Sequence, residues 1–161
     1  MTQIKYIDNG VKLTDVFKVK ELYIKEIMGS SDDLELKFDS SIENDISKKL
    51  RNVHEFLLIF KMKCNSTFGI FVCPSTQSNN QNEKEITLFP IFSVTHFDLK
   101  TFNATFTNDI NNKCLKFTIF DYNFGNGVSQ IHVDQQYNTF FSDVFFSYDV
   151  AQVQMYRLVK P

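Results

Sequence analysis

From residue 55 onward the chain is a succession of short apolar runs cut by polar clusters, and that rhythm constrains the fold more than any other feature. EFLLIFKMK leads into CNST and returns as FGIFV, which predicts a β-hairpin with Asn65 and Ser66 as turn residues. ITLFPIFSV predicts a further strand. Pro90 inside it implies an edge position or a bulge, because proline has no N–H to give a ladder. FNATFT (102–107) alternates, NDINNK turns, and CLKFTIFD returns as a second hairpin. VSQIHVD alternates only approximately, and DVAQVQMYRLV predicts a last strand. Seven or eight antiparallel strands with short links predict two packed sheets, a β-sandwich.

Ahead of the strands the period changes from two to nearly four. Residues 11–29 predict a helix in which Val16, Phe17, Leu22, Tyr23, Ile24, Ile27 and Met28 favour one side. Thr14 or Asp15 would cap its start, Glu21 would pair with Lys25, and Gly29 would stop it. LELKF (34–38) alternates like a half-buried strand. Residues 41–50 predict a second helix on Ile42, Ile46 and Leu50, capped by Ser40-Ser41. PSTQSNNQNEKE (74–85) is polar throughout and predicts an exposed loop. With 161 residues, and with no internal repeat or linker, the chain reads as one mainly β domain: a peripheral N-terminal helical segment, then a sandwich over about 34–159.

Composition narrows the function. Phe is the dominant aromatic, 18 against 6 Tyr and no Trp, so most of the rings are expected to point inward. A formal net charge of −2 offers no basic face for nucleic acid. The N-terminal stretch carries no signal or transit pattern, and no apolar run would span a bilayer. Three cysteines, Cys64, Cys73 and Cys114, then predict reduced thiols in a cytoplasmic protein and leave the sequons at Asn65 and Asn103 idle.

Candidate chemistry is sparse. Gly125-Asn126-Gly127 follows an apolar run, as a dinucleotide-binding loop would, but the third glycine of that fingerprint is Gln130 and a strand, not a helix, follows. These glycines predict a turn between strands. His54, His96 and His132 could serve a cysteine nucleophile, yet no basic cluster or helix start lies near any thiol, and no C-x-x-C or H-x-x-x-H spacing suggests zinc. The acids Asp32, Asp33, Asp39, Glu43 and Asp45 lack the glycine turn of a calcium loop and read as caps and surface charge. No catalytic residue, cofactor site or metal site is assigned. TFFSDVFFS (139–147) carries Phe140, Phe141, Phe145 and Phe146 in two pairs, which read either as a core-covering segment or as an aromatic patch for a protein partner.

Several of these stretches, taken in order, resemble the TLDc domain family of eukaryotic oxidation-resistance proteins. DSSIENDIS (39–47) followed by the hairpin with Phe68-Gly69-Ile70-Phe71 is similar to that family's aspartate–serine stretch and its F-G-G-aromatic hairpin. ITLFPIFSV occupies the place of its F-S-L-like strand, Phe124-Gly125-x-Gly127 that of its F-G-x-G, and VQMYRL, with Gln154 and Tyr156, that of its terminal E-V-W or E-V-Y strand. The likeness spans roughly residues 30–159 and fits a divergent, protist-like member. Two positions depart from it: Ile70 replaces the second hairpin glycine and Gln154 replaces the glutamate, so any proton-accepting role of that glutamate would be lost. What the resemblance implies is a β-sandwich with a mainly non-catalytic role in oxidative-stress protection, acting through protein contact, in several relatives with the peripheral part of the vacuolar proton pump. The contact surface expected here is the aromatic run 140–146 with the loop 74–85. The rival expectations are a thiol-dependent antioxidant or hydrolytic enzyme, and a sandwich that binds a sugar or other small ligand through its loops.

Overall fold

The computed structural model describes residues 12–63, 66–75, 83–92, 98–137 and 148–159. Helix α1 spans Leu13–Met28 and α2 spans Ile46–Lys49. The strands are β1 (Asp33–Asp39), β2 (Phe56–Met62), β3 (Thr67–Pro74), β4 (Glu83–Phe92) and β5 (Lys100–Thr105), then β6 (Thr107–Asp109), β7 (Cys114–Lys116), β8 (Phe120–Asn123), β9 (Gln130–Val133) and β10 (Val150–Val159). Six of them form one antiparallel sheet in the order β1-β10-β2-β3-β4-β5, and the other four form a second in the order β6-β7-β8-β9. The expected mainly β sandwich with N-terminal helices is the fold of this protein.

The long apolar runs form the middle of the larger sheet because both of its faces are covered. On β2, Leu58 and Phe60 enter the cluster between the sheets, while Leu57 and Ile59 enter a second cluster under α1. A strand buried on both sides must be apolar at every position, which is why EFLLIFKMK shows no alternation. Between the sheets, Phe60 stacks on Phe68 with ring centroids 5.1 Å apart and meets Tyr122 edge-on at 5.2 Å. On the outer face Phe17 of α1 stacks on Tyr156 of β10 at 4.1 Å, and the Tyr23 hydroxyl donates to the Pro90 carbonyl at 2.9 Å. Phe92 is the one exposed phenylalanine among the described residues.

Several local expectations change. Helix α1 starts one residue before Thr14, at an N-cap Lys12 without a side-chain bond, so neither Thr14 nor Asp15 caps it. Leu22 is 83% exposed and does not join the buried side, which is built by Leu13, Phe17 and Ile24. The Glu21–Lys25 pair forms at 3.8 Å, and Gly29 ends the helix at φ 64°. The second helix is only one turn long, because the Asp39 carboxylate accepts from the N–H and Oγ of Ser41 and holds the following residues as a turn. Ile42 is left 82% exposed. Asp45, not Ser40-Ser41, caps α2 through the Ser47 N–H.

FNATFT is two strands, β5 and β6, and the chain changes sheet at Phe106, which packs against Phe56 and Phe117 at 5.1 and 5.0 Å. CLKFTIFD is likewise two strands, β7 and β8, around Thr118 at φ 64°. Each break turns the chain so that a Phe-rich segment contributes to the inter-sheet core from the second sheet. Pro90 sits at a bulge: Phe68 faces Pro90 but Thr67 faces Phe92, and β5 begins opposite Leu88, so its pairing does not reach the proline. Glu83, Lys84 and Glu85, expected in the exposed loop, open β4, and Lys84 is buried beside His54 with Nζ 3.4 Å from Nδ1. At the other end of that stretch Pro74 closes β3 and the Ser75 N–H donates to the Glu83 carbonyl at 3.4 Å. Residues 76–82, the aromatic run 139–147 with Phe140, Phe141, Phe145 and Phe146, and also Cys64 and His96, lie outside the described residues.

Candidate functional site

The glycine stretch that first looks like a phosphate loop is a turn between β8 and β9. Asn126 and Gly127 have φ of 55° and 78°, and the Val128 N–H donates to the Gly125 carbonyl at 3.0 Å. Two successive positive φ values are the signature of a type I′ hairpin turn, which asparagine and glycine adopt at little cost. Gly125 has a different reason. A Cβ there would lie 3.1 Å from the Lys113 Cβ, so its missing side chain lets the lysine stem lie against the turn.

This turn forms one wall of a cleft of about 670 Å³ at one end of the sandwich. The facing wall is the segment from Ser40 to Lys48, and the floor includes the buried Phe38, Tyr122 and Val150. Phe124 on the turn side stacks on Tyr122 with centroids 5.4 Å apart. The two walls are joined by an ion pair: Lys113 Nζ lies 2.5 Å from Asp45 Oδ2. The other Asp45 oxygen accepts from the Ser47 N–H at 3.1 Å and from the Ser47 hydroxyl. Burial pushes this carboxyl up, but the Lys113 hydrogen bond and charge, with the Ser47 bonds, outweigh it and hold it below the usual range.

On the helix side of the larger sheet lies a second polar cluster. Asp39, Gln154 and Tyr156 are all at most 8% exposed. The Gln154 amide donates to Asp39 Oδ2 at 2.8 Å and to Thr14 Oγ1 at 3.0 Å, while its carbonyl accepts from the Tyr156 hydroxyl at 2.8 Å. Asp39 Oδ1 accepts from Gln152 at 2.8 Å and from Ser41. Burial raises the Asp39 carboxyl, yet the bonds from Gln154, Gln152 and Ser41 more than offset it, so the group sits below its usual value. Burial, and then the charges of Asp39 and Glu21, push Tyr156 well up, so it stays a donor. The cluster ties α1, β1 and β10 together, with the glutamine bonded through both its N–H groups and its carbonyl.

Both carboxylates carry a pH signature. Their folded values lie below the unfolded reference of 3.8, so their stabilisation is present above that pH and is lost as pH falls through the lower folded values. Thermal melts should therefore be flat from pH 8 to about 5 and fall steeply below about 4. The Asp39→Asn variant should be less stable at pH 7 and show a shallower acid fall; an acid limb as steep as that of the wild type would remove Asp39 as its source.

The described thiols are poor nucleophiles. Burial, reinforced by the charges of Glu85 and Glu55, pushes Cys73 up to about 11, and its Sγ lies against the Glu85 carbonyl at 3.8 Å. Burial, reinforced mainly by Asp121, also raises Cys114. A thiol in either position is protonated at neutral pH.

The residues singled out from the sequence thus separate. Phe124, Gly125 and Gly127 line the cleft, whereas Gln154 and Tyr156 sit on the opposite face of the larger sheet under α1. Phe68 is inter-sheet core, and Gly69 lies under the Phe89 ring, in the hairpin of β2 and β3. Asp39, Asp45 and Lys113 carry the polar architecture. The two acids belong to the cluster whose sequence suggests caps and surface charge, and Asp45 is a cap, but its partner Lys113 is 68 residues away and has no signal in the sequence. No family model matches the chain, and no curated protein matches it.

Proposed function

We propose that this chain is a divergent TLDc-like domain that acts by protein–protein contact in the cytoplasm, with the peripheral part of the vacuolar proton pump as the partner class and protection against oxidative stress as the outcome. The observation that carries the contact reading is on the solvent side of α1, where Val19 and Leu22 are 82% and 83% exposed. They stand three residues apart, one turn of helix, with Tyr23 beside them 37% exposed. Isolated surface aliphatics need no explanation, but adjacent ones on a helix whose other face is fixed by Phe17 and Ile24 form a rigid apolar strip that gains by being covered. The TLDc reading is supported by what its motif residues do. The hairpin glycine is occupied from above by an aromatic ring, and the F-G-x-G forms a tight turn. The raised Cys73 and Cys114 thiols give the thiol-enzyme alternative no support.

The test is recovery of purified peripheral pump subunits on the immobilised chain. The Val19→Lys, Leu22→Glu variant should keep its melting temperature and lose recovery by about tenfold or more, as expected when an apolar anchor is replaced by charge. Undiminished recovery by the folded variant would remove this helix face, and no recovery by the wild type would remove the pump as partner.

A further inference from the structure

The cleft between the Gly125–Gly127 turn and the Ser40–Lys48 segment has a chemistry that protein contact through α1 does not use. Its volume, about 670 Å³, is that of a site for a small molecule. Its floor is apolar and buried at Phe38, Tyr122 and Val150. Its polar groups are unequal in what they have left to offer. Asp45 is largely engaged: one oxygen takes both Ser47 groups and the other takes Lys113. Glu43 is engaged by Lys49 at 3.6 Å. Lys113 has three N–H donors and gives one to Asp45. Lys48, on the same rim, is exposed and makes no ion pair among the described residues. Ser40 Oγ accepts from the Val153 N–H, which leaves its own proton to donate. The cleft therefore has N–H and O–H donors to spare and one ammonium, Lys48, that pairs with no described carboxylate, next to a stacked aromatic wall.

We propose that this cleft binds a small organic anion, an apolar or aromatic body bearing a carboxylate or phosphate, with the body against Phe124 and the anionic oxygens on Lys113 and Lys48. The charge specifies the class. A neutral ligand would leave the spare donors facing an apolar group, and a cation would meet the Lys48 ammonium, unpaired among the described residues, and find Asp45 and Glu43 already paired with lysines. Gly125 is a positioning residue here, since any side chain at that position crowds the Lys113 stem at 3.1 Å.

Amide chemical-shift titration of the whole chain tests this with three probes of one body: phenyl phosphate, phenylacetate and neutral 2-phenylethanol. Saturable shifts at Gly125, Gly127 and Ser129 are expected from at least one anion, about tenfold tighter than from the alcohol, the worth of one charge-assisted contact. The two anions together separate phosphate from carboxylate preference. Added salt should reduce the margin. Lys48→Met, an exposed change, should lower anion affinity several-fold and leave the alcohol unaffected. Paired Asp45→Asn, Lys113→Met, which strands no charge, should abolish the margin. Phe124→Ser should weaken all three probes. The Val19→Lys, Leu22→Glu variant should bind as the wild type does, so loss of partner recovery and loss of anion binding are read independently. The absence of saturable shifts up to about 20 mM, or equal affinity for alcohol and anions, would overturn the proposal. So would an anion affinity indifferent to both lysine substitutions.

Discussion

Gly69→Ala is expected to be among the most damaging single changes in this protein. Gly69 lies on β3 with Ile59 on one side and Phe89 on the other. The Phe89 ring crosses directly over it: a Cβ at position 69 would lie 2.2, 2.5 and 2.9 Å from three ring carbons. The ring cannot simply step aside. It is fully buried, belongs to the cluster that seats α1, and meets Tyr23 of that helix edge-on at 6.2 Å. An added methyl must lift the ring, and with it the helix. The expected loss is about 3 kcal/mol, the upper end of overpacking costs. For a chain of this size that is a fall in melting temperature of about 6–12 °C. Gly69→Ala combined with Phe89→Leu should recover part of the loss, because the smaller side chain vacates the collision. If the single variant melted like the wild type, the ring would not be where it is described. In the hairpin that resembles the TLDc pattern, the first glycine is thus demanded by packing against the helix layer.

Gln154→Glu, which introduces the glutamate of that pattern, should destabilise this chain and reverse its response to pH. The glutamine gives one N–H to Asp39 and another to Thr14, and an ionised glutamate can give neither. Two carboxylates 2.8 Å apart in a site 8% exposed or less cannot both ionise, so one keeps its proton at a raised pKa. The sign follows from linkage. A glutamate titrates near 4.3 in the unfolded chain, and a raised folded value makes stability fall as pH rises from there through the folded pKa. The variant should be nearly tolerable at pH 4 and about 3 kcal/mol short at pH 8, whereas the wild type is flat over the upper part of that range. Gln154→Leu should cost about 2 kcal/mol with no such slope, since it removes donors without adding charge. Asp39→Asn combined with Gln154→Glu should restore most of the loss by returning a donor to the pair. A pH-independent loss for Gln154→Glu would mean that position 154 does not face Asp39.

These two sites show where residues speak for themselves and where they do not. The hairpin of β2 and β3, the bulge at Pro90 and the turn at Gly127 are legible because their causes are local: apolar runs, a missing N–H, a positive φ. The second helix is shorter than its periodicity predicts because Asp39 captures Ser41 in a turn, a competition between side-chain and helical bonding that periodicity does not register. FNATFT and CLKFTIFD each predict one strand because the apolar pattern continues across a change of sheet in the first and across the turn at Thr118 in the second. Only the need to bury Phe106 and Phe117 against Phe56 and Phe120 decides where the chain turns. Periodicity alone places Leu22 on the buried side, yet it is 83% exposed, because nothing in the periodicity says how much of the helix the sheet can cover.

The amino-acid sequence by itself determined the class of this protein: a two-sheet antiparallel sandwich under an amphipathic helix, with most of the described phenylalanines buried. Those properties follow from side-chain hydrophobicity and period, which are written residue by residue. The tertiary structure alone decided the rest. It joined Asp39 to Gln154 across 115 residues and Asp45 to Lys113 across 68. It also set Phe124 and Gly125 beside the Ser40–Lys48 segment to make a cleft. A buried or half-buried polar group must find its partner wherever the fold brings one, and sequence distance places no limit on where that is.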